Sequence, residues 1–360
     1  MTGAHVWQEP ALGDYPDPSV LGLSGHERMQ ALATGQVPVP PLTRLTGARL
    51  DAIGDGTATA TMPLSGWLAC ASGVITGGTL AILADIGFGC AIESKLPPAT
   101  PYTTAELSLS YLRPTWPGDR CLSANGQSIH VGRRVGLSEV FLIEEGSDRL
   151  IAHGTSRCAI LPRIADVPEP PVAGDEGREA SDESASAIDP FERPAEGEVL
   201  DQAVWADLGG RRIMDGLISG ELPRPPIAAL TGLMPTEAGD GTATAVLPCS
   251  EWLASPLRTV QGGLTAMLAD AALLFAVQTT VEPGTAYAGL DLKVNYLRPV
   301  FPDGKDLVAR AEVVNRGRSL AIARAEVTTS EGKRVALATG SSILLPGQPA
   351  SLGDLELSGE

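Results

Sequence analysis

Two aspartates, Asp85 and Asp270, lie inside the apolar stretches LAILADIGFGCAIE and LTAMLADAALLFAV. An ionised carboxylate in such surroundings is costly unless it is hydrogen-bonded or paired. It serves there either as a structural anchor or as a group kept for chemistry, taking a proton from water or attacking an activated carbonyl. A lone example favours the anchor; recurrence at matching places favours chemistry for at least one of the two. Each Asp follows a Gly-Gly pair, Gly77-Gly78 and Gly262-Gly263, at the same interval. Glycines that open a helix present free backbone N–H groups at the positive end of its dipole, where an oxyanion can be held and a carbonyl can come close. They serve a tight loop-to-helix junction equally well.

Gly77 and Asp85 are eight residues apart. On one helix that is about 12 Å along the axis at roughly 1.5 Å per residue, so the two cannot reach one carbonyl carbon. A working site therefore needs the helix start of one segment beside the Asp of the other, in an antiparallel, pseudo-twofold arrangement.

The elements that must provide this are legible as a repeat. GDGTATA occurs at 54 and 239, Trp-Leu-Ala at 67 and 252, Gly-Gly at 77 and 262, Leu-Ala-Asp at 83 and 268, and Tyr-Leu-Arg-Pro at 111 and 296, each pair 185 residues apart. Constant spacing means a duplicated domain. The expected division is an N-terminal extension (1–26), a first domain (27–162), a linker (163–200), a second domain with its lead helix (201–346) and a C-terminal tail (347–360). Each copy reads as a short helix, a Pro-Pro step, a strand pair around the Gly-Asp-Gly turn, and one long helix over 77–95 or 262–279. Four strands follow in the first copy, over 102–112, 120–131, 135–145 and 149–161, read as an antiparallel meander. The long helix is apolar on nearly every face, which suits a helix enclosed by a sheet. The fold class is therefore α+β.

Composition limits the alternatives. The net charge is −17, which argues against a nucleic-acid-binding surface. Eleven acids against three arginines in 163–200 concentrate much of that charge in a Pro-, Gly- and Ser-rich stretch unable to form a core, expected to be flexible or loosely docked. No apolar run is long enough to span a membrane, and the first residues lack a secretory pattern, so the expected location is cytoplasmic. The five cysteines have no C-x-x-C spacing, and the four histidines (5, 26, 130, 153) all precede the second copy without a His-x-x-x-His pair. Neither a disulfide framework, a metal site nor a Ser-His-Asp triad is indicated, and no cofactor is expected.

Gly-Gly, six residues, Asp, then Tyr-x-x-Pro and a Gly-Arg turn, present in both copies, resembles the hotdog-fold acyl-CoA thioesterases of the phenylacetate-pathway type. The resemblance implies two hotdog domains, each an antiparallel sheet wrapped around a long central helix, packed as a pseudo-twofold intramolecular dimer with the sheets joined edge to edge and active sites at the interface. It implies an acyl-CoA thioesterase, with association of the whole chain into a homodimer as a further possibility. The family's His before Gly-Gly is replaced by Thr76 and Gln261; a polar residue six positions earlier becomes Cys70 and Ser255; a Ser or Thr on the next strand falls at Thr104 but at Gly289 in the second copy. One composite site would thus gather Asp85, Thr104, Ser255, Gln261 and the Gly262 N–H, with Gln261 donating in place of the His. The other would gather Asp270, Cys70, Thr76 and the Gly77 N–H, with Thr76 acting mainly as a helix cap. The first is the better equipped. Arg113, Arg133, Arg134, Arg298, Arg316 and Arg318 are candidates for the coenzyme A phosphates, against a reading as solvated turn residues. A non-catalytic acyl-CoA-binding protein is the alternative function, and a hotdog hydratase lacks its Asp/His pattern here.

Overall fold

Each copy carries its own start and stop signals. In the computed structural model, which describes residues 5–168 and 187–348, helix α1 (Gly25–Ala33) is opened by a capping box between Ser24 and Glu27. The Pro-Pro steps begin short helices, α2 (Pro41–Thr46) and its later counterpart α6 (Pro226–Thr231), each ended by a glycine with positive φ, Gly47 and Gly232. These two helices were not anticipated; proline at the first helical position is the signal that marks them. The second copy's lead helices are α4 (Gln202–Asp207) and α5 (Gly210–Ser219).

The central helices are α3 (Gly77–Glu93) and α7 (Gly262–Gln278), buried on almost every side as their composition requires. Around α3 wrap β1 (Arg49–Ile53), β2 (Thr57–Pro63), β3 (Tyr102–Tyr111), β4 (Cys121–Val131), β5 (Val135–Glu144) and β6 (Arg149–Ile160). Around α7 wrap β7 (Met234–Gly239), β8 (Thr242–Pro248), β9 (Thr285–Tyr296), β10 (Asp306–Arg316), β11 (Leu320–Thr329) and β12 (Arg334–Pro346). Together they form one twelve-stranded antiparallel sheet in the order β1-β2-β4-β5-β6-β3-β9-β12-β11-β10-β8-β7. This is the hotdog architecture in two copies, with the sheets joined edge to edge through β3 and β9.

The strand order corrects the simple meander. β4, β5 and β6 follow one another, but β3 lies beyond β6 and β4 pairs with β2. Placing β3 there lets it pair with its counterpart β9, with Ser108 opposite Lys293 at the centre of the join. These two positions are themselves 185 apart, so the pseudo-twofold axis passes between them. The bulge in β3 between Thr104 and Glu106 recurs in β9, where Gly289 and Asp291 are the equivalent positions.

Helices α3 and α7 run antiparallel in close contact, the start of each against the middle of the other. A Cβ on Gly263 would lie 2.4 Å from the Ala81 carbonyl oxygen, so only glycine allows this approach. No helix of the described residues is long and apolar enough to cross a membrane.

The stretches expected as extension and linker are partly docked. Residues 5–9 lie against the second copy, where the Trp252 indole donates to the Glu9 carbonyl at 3.0 Å. Residues 187–200 begin against the first copy, where the Trp67 indole donates to the Arg193 carbonyl at 2.9 Å. The chain then returns to its own copy, through Asp14 N–H to the Val39 carbonyl and Glu198 N–H to the Arg224 carbonyl. The two segments are thus exchanged straps, and Arg193 meets Glu9 at 2.7 Å where they approach. Composition predicts little burial for 163–200, yet Pro190 is buried where the strap crosses the first copy, and Leu200 is buried among Trp205, Ile213, Met214 and Leu217 of its own copy. The rest of the expected linker, 169–186, and residues 349–360 of the tail lie outside the described residues.

Candidate active site

The antiparallel crossing builds two composite sites. In the first, Asp85 Oδ2 accepts the Gly263 N–H of α7 at 3.1 Å, and Oδ1 accepts the Thr104 hydroxyl at 3.2 Å. The Gly262 N–H also faces this carboxylate. Burial pushes the Asp85 pKa up to about 6, against the lowering effect of these hydrogen bonds. The group thus changes charge near neutral pH, the range in which a carboxylate serves as a base.

Gln261 stands next to the site in a role other than the one expected. Its Nε2 donates to the Ile82 carbonyl at 2.9 Å. The amide therefore ties the start of α7 to α3 three residues before Asp85 through one N–H, and its Oε1 is buried without a partner among the described residues. Ser255 is likewise a correction: its hydroxyl lies 3.1 Å from that of Thr259 and accepts the Leu257 N–H, so it is spent on its own turn. Cys70, in the matching turn, lies 3.2 Å from the Ser72 hydroxyl.

In the second site Asp270 Oδ2 accepts the Gly78 N–H at 2.8 Å. Burial pushes this pKa up to about 7, opposed by that bond and assisted by the negative charge of Asp291. Gly289 offers no side chain to the carboxylate. Thr76 caps α3, accepting the Thr79 N–H at 3.4 Å. Gly77 opens the helix beneath the ring of Tyr111.

Several participants escaped the sequence reading. Tyr296 donates its hydroxyl to the Gly262 carbonyl at 2.9 Å, bracing the helix start over Asp85. Its counterpart Tyr111 has a buried hydroxyl without a protein partner among the described residues. Both tyrosines belong to the repeated Tyr-Leu-Arg-Pro, where only the arginines had drawn attention. Two helical turns beyond Asp85, Glu93 is paired with buried Arg28 at 2.9 Å and hydrogen-bonded by Tyr102. In the second copy the equivalent positions hold Gln278, Ile213 and Tyr287, an uncharged version in which the tyrosine donates to Gln278 at 2.8 Å.

All six candidate arginines are exposed. Arg113 donates to the Leu150 carbonyl at 2.6 Å, and Arg316 to Thr280 at 3.3 Å and to the Gly317 carbonyl. Arg133, Arg134, Arg298 and Arg318 make no side-chain hydrogen bond or ion pair among the described residues.

The family model described as Thioesterase superfamily matches the chain twice, over 72–150 and 257–336, each match containing one central helix with its Asp. A protein of Haemophilus influenzae named "Putative esterase" is 32% identical over 95 residues, covering 26% of this chain and 67% of that protein. The chain belongs to the thioesterase superfamily. Its reaction class is accordingly thioester hydrolysis, for which the paired Asp and helix start are suited. Among solved structures, one from Novosphingobium aromaticivorans described as a "putative thioesterase" aligns with a TM-score of 0.51 at 16% identity, over 83% of this chain and 98% of that one, which speaks to the fold. An acyl-CoA thioesterase II of Mycobacterium marinum aligns with a TM-score of 0.49 at 13% identity, over 86% and 99% of the two chains.

Proposed function

We propose that the chain is an acyl-CoA thioesterase whose working site is the one built on Asp85. The observation that carries this reading is the asymmetry around the two carboxylates: Asp85 receives both a helix-start N–H and the Thr104 hydroxyl, whereas Asp270 receives the N–H alone. Ionised Asp85 takes a proton from water as the water oxygen attacks the thioester carbon; the C–S bond then breaks and the thiolate leaves with the proton that Asp85 took, which regenerates the carboxylate. Direct attack by the carboxylate, giving a mixed anhydride that water opens, needs the same ionised group. The Gly262 N–H, which faces Asp85 in the free chain, would polarise the carbonyl once a thioester lies beside the carboxylate.

The arginines support the same choice of site. Arg298 follows Tyr296, which braces the start of α7. Arg133 and Arg134 lie in the β4–β5 turn beside the β3 end that carries Thr104. These three, without side-chain partners among the described residues, are available for the diphosphate and ribose phosphate of coenzyme A; on the Asp270 side Arg113 and Arg316 are bonded to the protein, leaving Arg318 alone in that condition. Release of thiol from a panel of acyl-CoA esters by the purified chain tests the reading. Hydrolysis of one or more esters supports it. Tight binding by calorimetry without hydrolysis would replace it with an acyl-CoA-binding protein, a reading favoured by the commitment of Gln261 to Ile82 where the family carries a His.

A further inference from the structure

The two helix starts differ in what stands before them. A Cβ on Gly262 would have the Asp85 carboxylate as its nearest neighbour, with Oδ2 at 3.0 Å and Oδ1 at 3.4 Å. A Cβ on Gly77 would fall 2.1 Å from Cζ of Tyr111 and 2.3 Å from its Cε2, inside the ring. Tyr296 braces its own helix start by a hydroxyl bond to the Gly262 carbonyl, while the hydroxyl end of the Tyr111 ring occupies the place a side chain at Gly77 would take. Gly289, the counterpart of Thr104, borders the same ring and sets no side chain against it: a Cβ there would lie 3.7 Å from Tyr111 Cδ2, in ordinary van der Waals contact.

Resting on the thioesterase reading, we propose that Tyr111 is a built-in plug of the second site. Its ring fills the space before the α3 start where a thioester would have to lie, so the chain binds one acyl-CoA, and loss of the ring opens a second site for the same class of ligand. The hydroxyl forms no bond among the described residues, so the ring's volume is what matters, and Tyr111→Phe is expected to stay closed.

The test is calorimetric titration with the non-hydrolysable thioether analogue of hexanoyl-CoA, alongside amide exchange of the segment containing Gly77 and Gly78. Expected are one ligand per chain for wild type and Tyr111→Phe, and two for Tyr111→Ala, whose 77–78 segment exchanges at least tenfold faster while 262–263 is unchanged. Two ligands on the wild type would overturn the plug whatever the variants do. One ligand on a folded Tyr111→Ala with unaltered exchange would overturn it too. No binding by any form would count against the acyl-CoA reading alone; the exchange comparison then decides the plug, faster exchange in Tyr111→Ala supporting it and unchanged exchange refuting it.

Discussion

Around Asp85 the carboxylate is held by two donors from two elements, the Gly263 N–H and the Thr104 hydroxyl, and exposed arginines without side-chain partners among the described residues lie on the adjoining turns. Around Asp270 there is one donor, a second acid in Asp291, and an aromatic ring over the helix start. Duplication produced both from one plan. A second site inherited with the fold can lose its polar contacts and take in bulk, provided the helix crossing survives. That crossing uses the glycines and an Asp–N–H bond in both copies. On the proposed reading, the structural and chemical roles of a buried Asp divide between the copies, with Asp270 as the anchor.

The largest effect expected from this contrast is on turnover. Asp85→Asn preserves shape and removes the charge, and is expected to lower kcat by about a hundredfold or more, whereas Asp270→Asn leaves kcat within about threefold; thiol-release assays on the two proteins check it. Next in size is Gln261→Ala, which unties the start of α7 from Ile82. A loss of about tenfold in kcat is expected with a lower melting temperature, as the tie is a buried hydrogen bond, while Thr76→Ala changes the rate little.

Thr104→Ala sharpens the comparison by making the first site resemble the second. Its hydroxyl favours the charged carboxylate, so removing it raises the Asp85 pKa above about 6 and shifts the rise of activity to higher pH. The plateau rate is expected to fall about threefold to tenfold, the scale of one such hydrogen bond.

The smallest effect on activity, though not on stability, concerns Asp270. Its folded pKa of about 7 lies above the ordinary 3.8, so folding favours the protonated form. That advantage is full below the unfolded pKa and is lost as pH rises through the folded one. Asp270→Asn is neutral throughout and keeps an acceptor for Gly78. Its melting temperature is expected to gain on wild type between pH 5 and pH 8, with an upper bound on the order of 4 kcal/mol. A constant difference across that range would contradict a titrating Asp270.

Much of this was legible in the chain. The rise per residue of a helix was enough to show that Asp85 and Gly77 belong to different sites, and the repeat located both central helices to within two residues at their ends. Hydrogen-bond partners were not legible. Whether Gln261 faces a ligand or Ile82, and whether Ser255 faces Asp85 or Thr259, depends on rotamers fixed only after packing. The exchanged straps were hidden for a different reason. Gly13 and Gly197, which sit equivalently against the Pro-Pro steps, are 184 residues apart and slip out of a register of 185. The tyrosines were visible but silent: Tyr111 and Tyr296 are the same residue in the same motif, and only the Thr104/Gly289 difference, on the strand beside them, separates their roles.

The central claim is that one carboxylate, Asp85, governs the reaction. Its most direct test is the pH–rate profile of Asp270→Asn beside that of wild type, with the fastest ester found in the panel. Both profiles are expected to rise with pH through a midpoint near 6, the value burial sets for Asp85, and to reach the same plateau. A midpoint near 7 in wild type that disappears in Asp270→Asn would place the chemistry at the other site.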